Sequence, residues 1–478
     1  MYILVEFNSI NTSTVYRYLY SALILIFITS CATQKEADLI LTNISIVDVE
    51  NGKVIPDQLI AISGDKILET DDASKLGNYS SDQIISLDGK FVMPGLWDNH
   101  IHFRGGAELV EANKNLLPLL LAFGVTTVRD GGGDITPYVQ LWNELIHDKE
   151  LSGPSIFTPG PKLDGSRPAW EGSIEVTNNS EAISALDSLE SINADFVKIY
   201  DGNLTKEAFY QIIEKAESRG LKTTGHMPLS ADLMKAVELG LDGTEHLYYP
   251  LKETSPLADS LTETGMGYGM ITPLMNSYNE ELANKAYREL AKNEFYVTPT
   301  LHVGKTLAEL LVVDHSNDTL LNYISPKITD TYQRRLNSAK RGGENYTNTR
   351  AQWVTSFSNM VKPMYDSGIK ILAGSDSGPF NSFTYPGISI HKELELLVNA
   401  GLTPQEALMT SVVYGPEFFD LEDDYGSIQS GKIADLLILD DNPLENISNT
   451  QKINSLISKG SWYSKTDLDD LLKSIKNE

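Results

Sequence analysis

His100 and His102 lie two residues apart in "WDNHIH" (97–102), directly after an apolar run closed by "MPG" (93–95). On a strand, residues i and i+2 point to the same side, so both imidazoles can reach one ion. Imidazole nitrogen binds zinc and several other divalent metals, which makes metal binding the chemistry to test. Two hydrogen-bonded polar residues at a strand end would look the same, and six residues do not separate the readings. Further ligands have to come from elsewhere in the chain.

The elements around the pair suggest where. From about residue 94 to 420, short apolar runs alternate with helical stretches, as in parallel βαβ units. Eight candidate strands stand out: 95–103, 124–132, 155–163, 195–202, 221–227, 243–249, 295–302 and 370–376. Between the fourth and fifth, "LTKEAFYQIIEKAESRG" (204–220) places apolar residues at helical spacing before a glycine stop. Eight such units predict a (β/α)8 TIM barrel, whose active site lies at the C-terminal ends of the strands. The first run ends in His100 and His102, the fourth in Lys198, the fifth in His226, the sixth in His246 and the eighth in Asp376. Singly, each reads equally well as a hydrogen-bonded histidine or a salt-bridged lysine; chance is a poor account of the set.

Strand and turn signals such as "ENGK", "SGDK" and Asp88-Gly89 mark residues 38–93, and similar strands return at 421–463. A small β-sandwich domain made from both chain ends, with the barrel (94–420) inserted into it, is the expected architecture. Residues 464–478 read as a surface helix or a frayed tail. At the other end, "YLYSALILIFITSC" (18–31) has an apolar core too short to span a bilayer but suited to a signal peptide. "ITSC" resembles the lipobox of bacterial lipoproteins, so residues 1–30 are expected to be a signal peptide, Cys31 the lipidated residue and 31–37 a tether. An extracytoplasmic protein held on a bacterial membrane, periplasmic or at the outer membrane, follows from that reading. The lone cysteine excludes an intrachain disulfide. A formal net charge of −27 over 478 residues argues against nucleic acid as a partner.

"MPGLWDNHIH", "VKIYDG", "TTGHM", "GTEHL", "AGSDS" and the closing "GSIQSGKIADLLILDDNP" together resemble the amidohydrolase superfamily, in its metal-dependent dipeptidase (prolidase-like) and imidazolonepropionase-like branch. The likeness covers the chain after the signal; "DNH" before the second histidine departs mildly from the usual pattern. It implies two divalent metal ions, zinc being the expected one. His100, His102 and Asp376 would hold one, His226 and His246 the other, and Lys198, carrying a carbamate from CO2, would bridge them. Burial and neighbouring positive charge favour the neutral amine that such a reaction needs. Asp376 would act as general acid and base on a metal-activated water.

The implied reaction is hydrolysis of an amide or peptide bond in a small molecule, a dipeptide or an N-acyl amino acid. Tyr200, on the face of Lys198, and His302, closing the seventh run, are candidate substrate-binding residues. Arg167, in a loop, could pair with a substrate carboxylate but reads more simply as exposed. His147 and His315 read as surface residues, and His391 as structural. Two alternatives remain: a cyclic amidohydrolase of the imidazolonepropionase type, against which Lys198 argues, and a catalytically inactive, lipid-anchored binding protein, against which the filled ligand set argues.

Overall fold

The structure, a computed structural model, describes Tyr2 and residues 34–476. The apolar run of the leader and Cys31 lie outside the described residues. Among the described residues, no helix is long and apolar enough to cross a membrane.

Eight short parallel strands form the centre: β1 (Leu96–Ile101), β2 (Val125–Asp130), β3 (Ser155–Phe157), β4 (Val197–Ile199), β5 (Thr223–Gly225), β6 (Gly243–Glu245), β7 (Tyr296–Thr298) and β8 (Lys370–Ile371). Ladders join β1 to β2 to β3, β4 to β5, and β6 to β7 to β8. Backbone hydrogen bonds outside these ladders carry the ring across the gaps. Asp195 N–H donates to Thr158 C=O at 2.9 Å, Asp242 N–H to Thr223 C=O at 3.2 Å, and Asp376 N–H to His100 C=O at 2.7 Å. The result is the (β/α)8 barrel expected from the alternation of apolar runs. β1 and β2 are buried along their whole length, as parallel strands covered by helices must be.

The third run is shorter than its sequence suggests. β3 ends at Phe157, because Pro159, Gly160 and Pro161 interrupt it, and prolines cannot donate to a ladder. The chain resumes as Leu163–Asp164, which pairs with Ile174–Glu175 and reaches Ile199 at the rim of β4.

Helices cover the ring by burying one face each. In Lys206–Glu217, Thr205 caps the first turn by accepting from Ala208 N–H, and Ala208, Phe209, Ile212, Ile213 and Ala216 are buried at helical spacing. Residues 303–350, irregular by sequence, become the helix Leu301–Glu309, short turns, and a long helix, Gln333–Asp366. Gly343, at φ 54°, breaks that long helix. Past the break, Arg350, Trp353 and Phe357 reach the mouth of the barrel, as Arg335 does before it.

Strands from both chain ends form one eight-stranded sheet. Phe91–Pro94 lies between Leu436–Leu439 and Leu39–Asp48, so the two ends of the chain meet at its middle. Side-chain alternation gives the sheet two faces. Leu39, Leu41, Ile60, Ile62, Leu436 and Ile438 share an apolar cluster of their own. Met93, Leu437, Leu439 and Leu456 instead join the barrel's core. The C-terminal helix, Lys465–Ile475, opens with a capping box between Ser464 and Asp467 and buries Leu468 and Ile475 in the same core.

Candidate active site

The two histidines of β1 converge on one carboxylate from the end of β8. Nε2 of His100 lies 3.3 Å from Oδ1 of Asp376, and Nε2 of His102 lies 3.0 Å from the same atom. Donor atoms of these three buried residues all fall within 4.8 Å of one another. The approach of β8 to β1 is close: a Cβ on Gly374 would meet His100 Cβ at 2.6 Å, which accounts for glycine in "AGSDS". His246 stands beside them, its ring centroid 5.6 Å from that of His100 and 4.9 Å from that of His226. A 2.6 Å hydrogen bond between His246 Nδ1 and the Thr300 hydroxyl orients the ring.

Asp376, His246 and Thr300 all adopt left-handed backbone, with φ of 53°, 65° and 52°. Non-glycine residues pay about 1 kcal/mol or more for such conformations, which persist where the surroundings hold them. Here they turn side chains into the barrel just past the strand ends.

The centre of the charge network is Glu245, which the strand-end reading passed over. Its Oε2 lies 2.7 Å from His100 Nδ1, and its Oε1 lies 3.0 Å from Lys198 Nζ and 3.0 Å from an Arg129 guanidinium nitrogen. The Thr224 hydroxyl donates to Oε1 at 3.1 Å. Strict alternation along "GTEHL" would send Glu245 and His246 to opposite sides. The positive φ at His246 breaks that alternation, so both face inward. The available signal was a buried acid next to a candidate ligand on a barrel strand.

Protonation states suit a metal. Burial pushes His102 well below the usual histidine value, with Arg104 adding to the effect; burial and His226 do the same to His246. Burial alone would raise Asp376, but His100 and His102 hold it well below the usual carboxylate range. Burial would likewise raise Glu245, yet Arg129, Lys198 and His100 keep it ionised. Burial lowers the Lys198 amine against the pull of Glu245, and Arg129 presses the same way. Burial would lower His100, but Glu245 outweighs it and holds it above the usual histidine value, so His100 would give up a proton on ligating an ion, whereas His102 and Asp376 already stand in the neutral and ionised forms that a divalent ion requires. Asp98, also missed from sequence, supports them from behind. Burial pushes it up to about 6, and it accepts from the Ser375 hydroxyl at 2.5 Å and from Ser375 N–H at 2.9 Å.

An inner chamber of about 70 Å3 is lined by His102, Lys198, Tyr200, His226, His246 and Asp376, among others. An outer cavity of about 710 Å3 is lined by Tyr200, His226, His246 and Asp376 at its floor and by Tyr248, Arg335, Arg350 and Trp353 higher up. The Tyr200 ring lies on His226, with centroids 4.5 Å apart. His226 Nδ1 is 3.3 Å from Asp201 Oδ1 but is not aligned for a hydrogen bond.

His302 is not brought to either chamber. It falls inside the helix Leu301–Glu309 rather than at a strand end, and its N–H donates to Glu393 at 2.6 Å. Arg167 is exposed, and His147 lies exposed on its helix. His315 is not a free surface residue: its ring stacks on Phe383 at 3.7 Å. His391 is buried between Thr450 and the Phe123 carbonyl.

Histidines and an aspartate thus converge at the C-terminal ends of the strands of a parallel (β/α)8 barrel, in an arrangement that could hold a divalent ion. The chain belongs to the amidohydrolase family, hydrolases of carbon–nitrogen bonds, whose family profile matches residues 91–463. Among curated relatives, it is similar to adenine deaminase 2 of Latilactobacillus sakei subsp. sakei (strain 23K), 41% identical over 75 residues, 16% of this chain and 12% of that protein. The match thus spans about an eighth of that relative's length. Its fold is shared with bottromycin amidohydrolase, at a TM-score of 0.70 and 19% identity over 91% of this chain and 90% of that one. A Xaa-Pro dipeptidase solved with methionine in its active site shares it too, at a TM-score of 0.65 and 20% identity over 89% and 99%.

Proposed function

We propose that this protein hydrolyses an amide or peptide bond in a small substrate, either a dipeptide, as a prolidase does, or an N-acyl amino acid. The observation that carries the reading is the convergence of His100 and His102 on Asp376 Oδ1, beside His226, His246 and Lys198, at the floor of a cavity sized for a dipeptide.

In this reading His100, His102 and Asp376 hold one divalent ion, His226 and His246 hold a second, and a carbamate on Lys198 bridges them; zinc is the expected metal. Such ions supply Lewis acidity and a water acidified to near-neutral pKa. The lowered Lys198 amine supports carbamylation, since only the neutral amine reacts with CO2. Asp376, ionised between two histidines, is placed to take a proton from the attacking water and return it to the leaving nitrogen. Glu245 fixes the tautomer of His100 and the position of Lys198. Tyr200, on the wall shared by both chambers, orients the substrate. Anchoring through a lipid on Cys31 to a bacterial membrane completes the proposal and suits scavenging of peptides outside the cytoplasm.

The test is release of free amino acid from a panel of dipeptides, including Xaa-Pro, and N-acyl amino acids, by protein loaded with zinc and bicarbonate, beside an Asp376→Asn control. Turnover that disappears in the control supports the reading. Turnover of adenine or a cyclic amide alone would replace it, and silence with every compound would favour a binding protein.

A further inference from the structure

Gly304 is a glycine that its own backbone does not call for. It is the fourth residue of the helix Leu301–Glu309, has no left-handed φ, and donates its N–H to the Thr300 carbonyl as a helical residue does. Among the described residues beyond its own helix backbone and chain neighbours, a Cβ there would meet only Val354 Cγ2, at 3.7 Å, an ordinary van der Waals contact. Glycine weakens a helix interior relative to alanine, and here neither conformation nor crowding accounts for it. What the missing side chain leaves is room: Gly304 lines both the outer cavity of about 710 Å3 and a smaller space of about 30 Å3.

Three aromatic rings, Tyr248, Trp353 and Phe357, line the same two spaces. Tyr248 is their hub, with ring centroids 5.9 Å from Trp353 and 5.3 Å from Phe357 and interplanar angles of 76° and 80°. All three stay half-buried although they pack on one another. The Trp353 indole N–H already donates to the Thr272 hydroxyl at 3.0 Å, and Phe357 has no polar end, so apolar ring surface is what they offer the cavity. This wall adjoins the candidate active site. The Tyr248 ring lies 5.8 Å from that of His246, and Thr300, which holds His246 Nδ1, lines both spaces as well.

We propose that Tyr248, Trp353 and Phe357 form a subsite for an aromatic side chain of the substrate, carried on the residue adjoining the scissile bond, and that Gly304 keeps this subsite open. The placement follows from distance. One residue spans about 3.8 Å, so a side chain resting on a ring 5.8 Å from His246 belongs to the residue next to the bond held there. The ligand class follows from geometry: aromatic rings pack edge-to-face or offset at about 4.5–7 Å, and rings set steeply to one another offer both contacts to a further ring. The assignment rests on the hydrolase reading for the word substrate, but the subsite itself is tested by binding alone.

The experiment is calorimetric titration of the zinc-loaded protein with L-phenylalaninol and L-alaninol, which share their charge and polar groups, contain no bond to hydrolyse and differ by one phenyl ring. Phenylalaninol is expected to bind at least about tenfold tighter than alaninol, the scale of a filled apolar pocket. Gly304→Leu, which fills the space, is expected to cut that preference to about threefold or less. Gly304→Ala is expected to melt at or above the Tm of the unsubstituted chain, because the helix gains and nothing is crowded. Equal affinity for the two amino alcohols, or no binding of phenylalaninol up to about 50 mM, would overturn the subsite. A preference left intact in Gly304→Leu would place the ring elsewhere and overturn it too, and a clear fall in Tm for Gly304→Ala would show that the glycine serves packing. Circular dichroism checks that each variant folds, and Trp353→Ala repeats the binding test from the opposite wall should the leucine variant not fold. None of these measurements uses turnover, so the subsite and the hydrolase reading fail separately.

Discussion

Oε2 of Glu245 lies 2.7 Å from His100 Nδ1, while Oε1 of the same carboxylate lies 3.0 Å from Lys198 Nζ. One fully buried acid therefore positions a candidate metal-ligand histidine and the lysine proposed to bridge two ions. Replacing it with Gln leaves Arg129 and Lys198 buried with less compensation, a change that typically costs about 3–5 kcal/mol. Glu245→Gln is expected to lower Tm clearly and to reduce metal affinity about 10- to 100-fold, read by differential scanning calorimetry and by metal content after dialysis. Unchanged zinc retention would remove Glu245 from the site's support.

Asp376→Asn keeps the shape of the side chain but not its charge. The expected loss in kcat is about 10²–10⁴-fold, the usual range for a positioned acid–base group, with the circular dichroism spectrum preserved. Activity within a factor of three of the unsubstituted enzyme would assign the proton transfers to another residue.

Metal removal should abolish turnover and lower Tm, because ions that bind only the folded chain stabilise it by mass action. A chelator titration, followed by restoration with zinc, measures both effects. His102→Ala should make the protein insensitive to the chelator in Tm, whereas His391→Ala, with His391 buried between Thr450 and the Phe123 carbonyl, should leave the chelator effect in place.

Tyr200→Phe removes a hydroxyl at the wall of both chambers but leaves the ring on His226, 4.5 Å between centroids. A rise in KM of about three- to tenfold with little change in kcat is expected, the signature of lost uniform binding. A fall in kcat at constant KM would instead place the hydroxyl at the transition state.

Glu253 lies away from the metal site, and burial, with help from Asp232, raises it from 4.5 to about 7. Its protonated form thus contributes stability that is full below 4.5 and lost as pH rises through about 7. Glu253→Gln should therefore gain Tm relative to the unsubstituted chain between pH 5.5 and pH 8, measured by thermal melts across that window. A constant difference in Tm over the window would show that the carboxyl titrates normally.

The barrel was legible because parallel strands covered on both sides are rich in buried apolar residues, and "GVTTVRDGG" or "DFVKIYDG" carry short apolar stretches between helices with clear stops. Within the third strand, legibility ended at Pro159, where missing N–H groups broke a run that looked continuous. Helix Gln333–Asp366 was hidden because Gly342 and Gly343 interrupt a polar stretch with little apolar periodicity. Its arginines therefore could not be assigned to a cavity from composition.

For the site, sequence alone determined the candidate donor types and their places at the ends of five strands, since a period of two and the direction of parallel strands leave little freedom in where a strand ends. Only the tertiary structure decided which neighbours join them. Left-handed backbone at His246 and Asp376 turns side chains inward against the strand alternation, and that conformation is held by packing rather than by local propensity. Glu245, Arg129 and Lys198 lie 47 or more positions apart in sequence wherever they meet the carboxylate, so their pairing follows from ring closure alone.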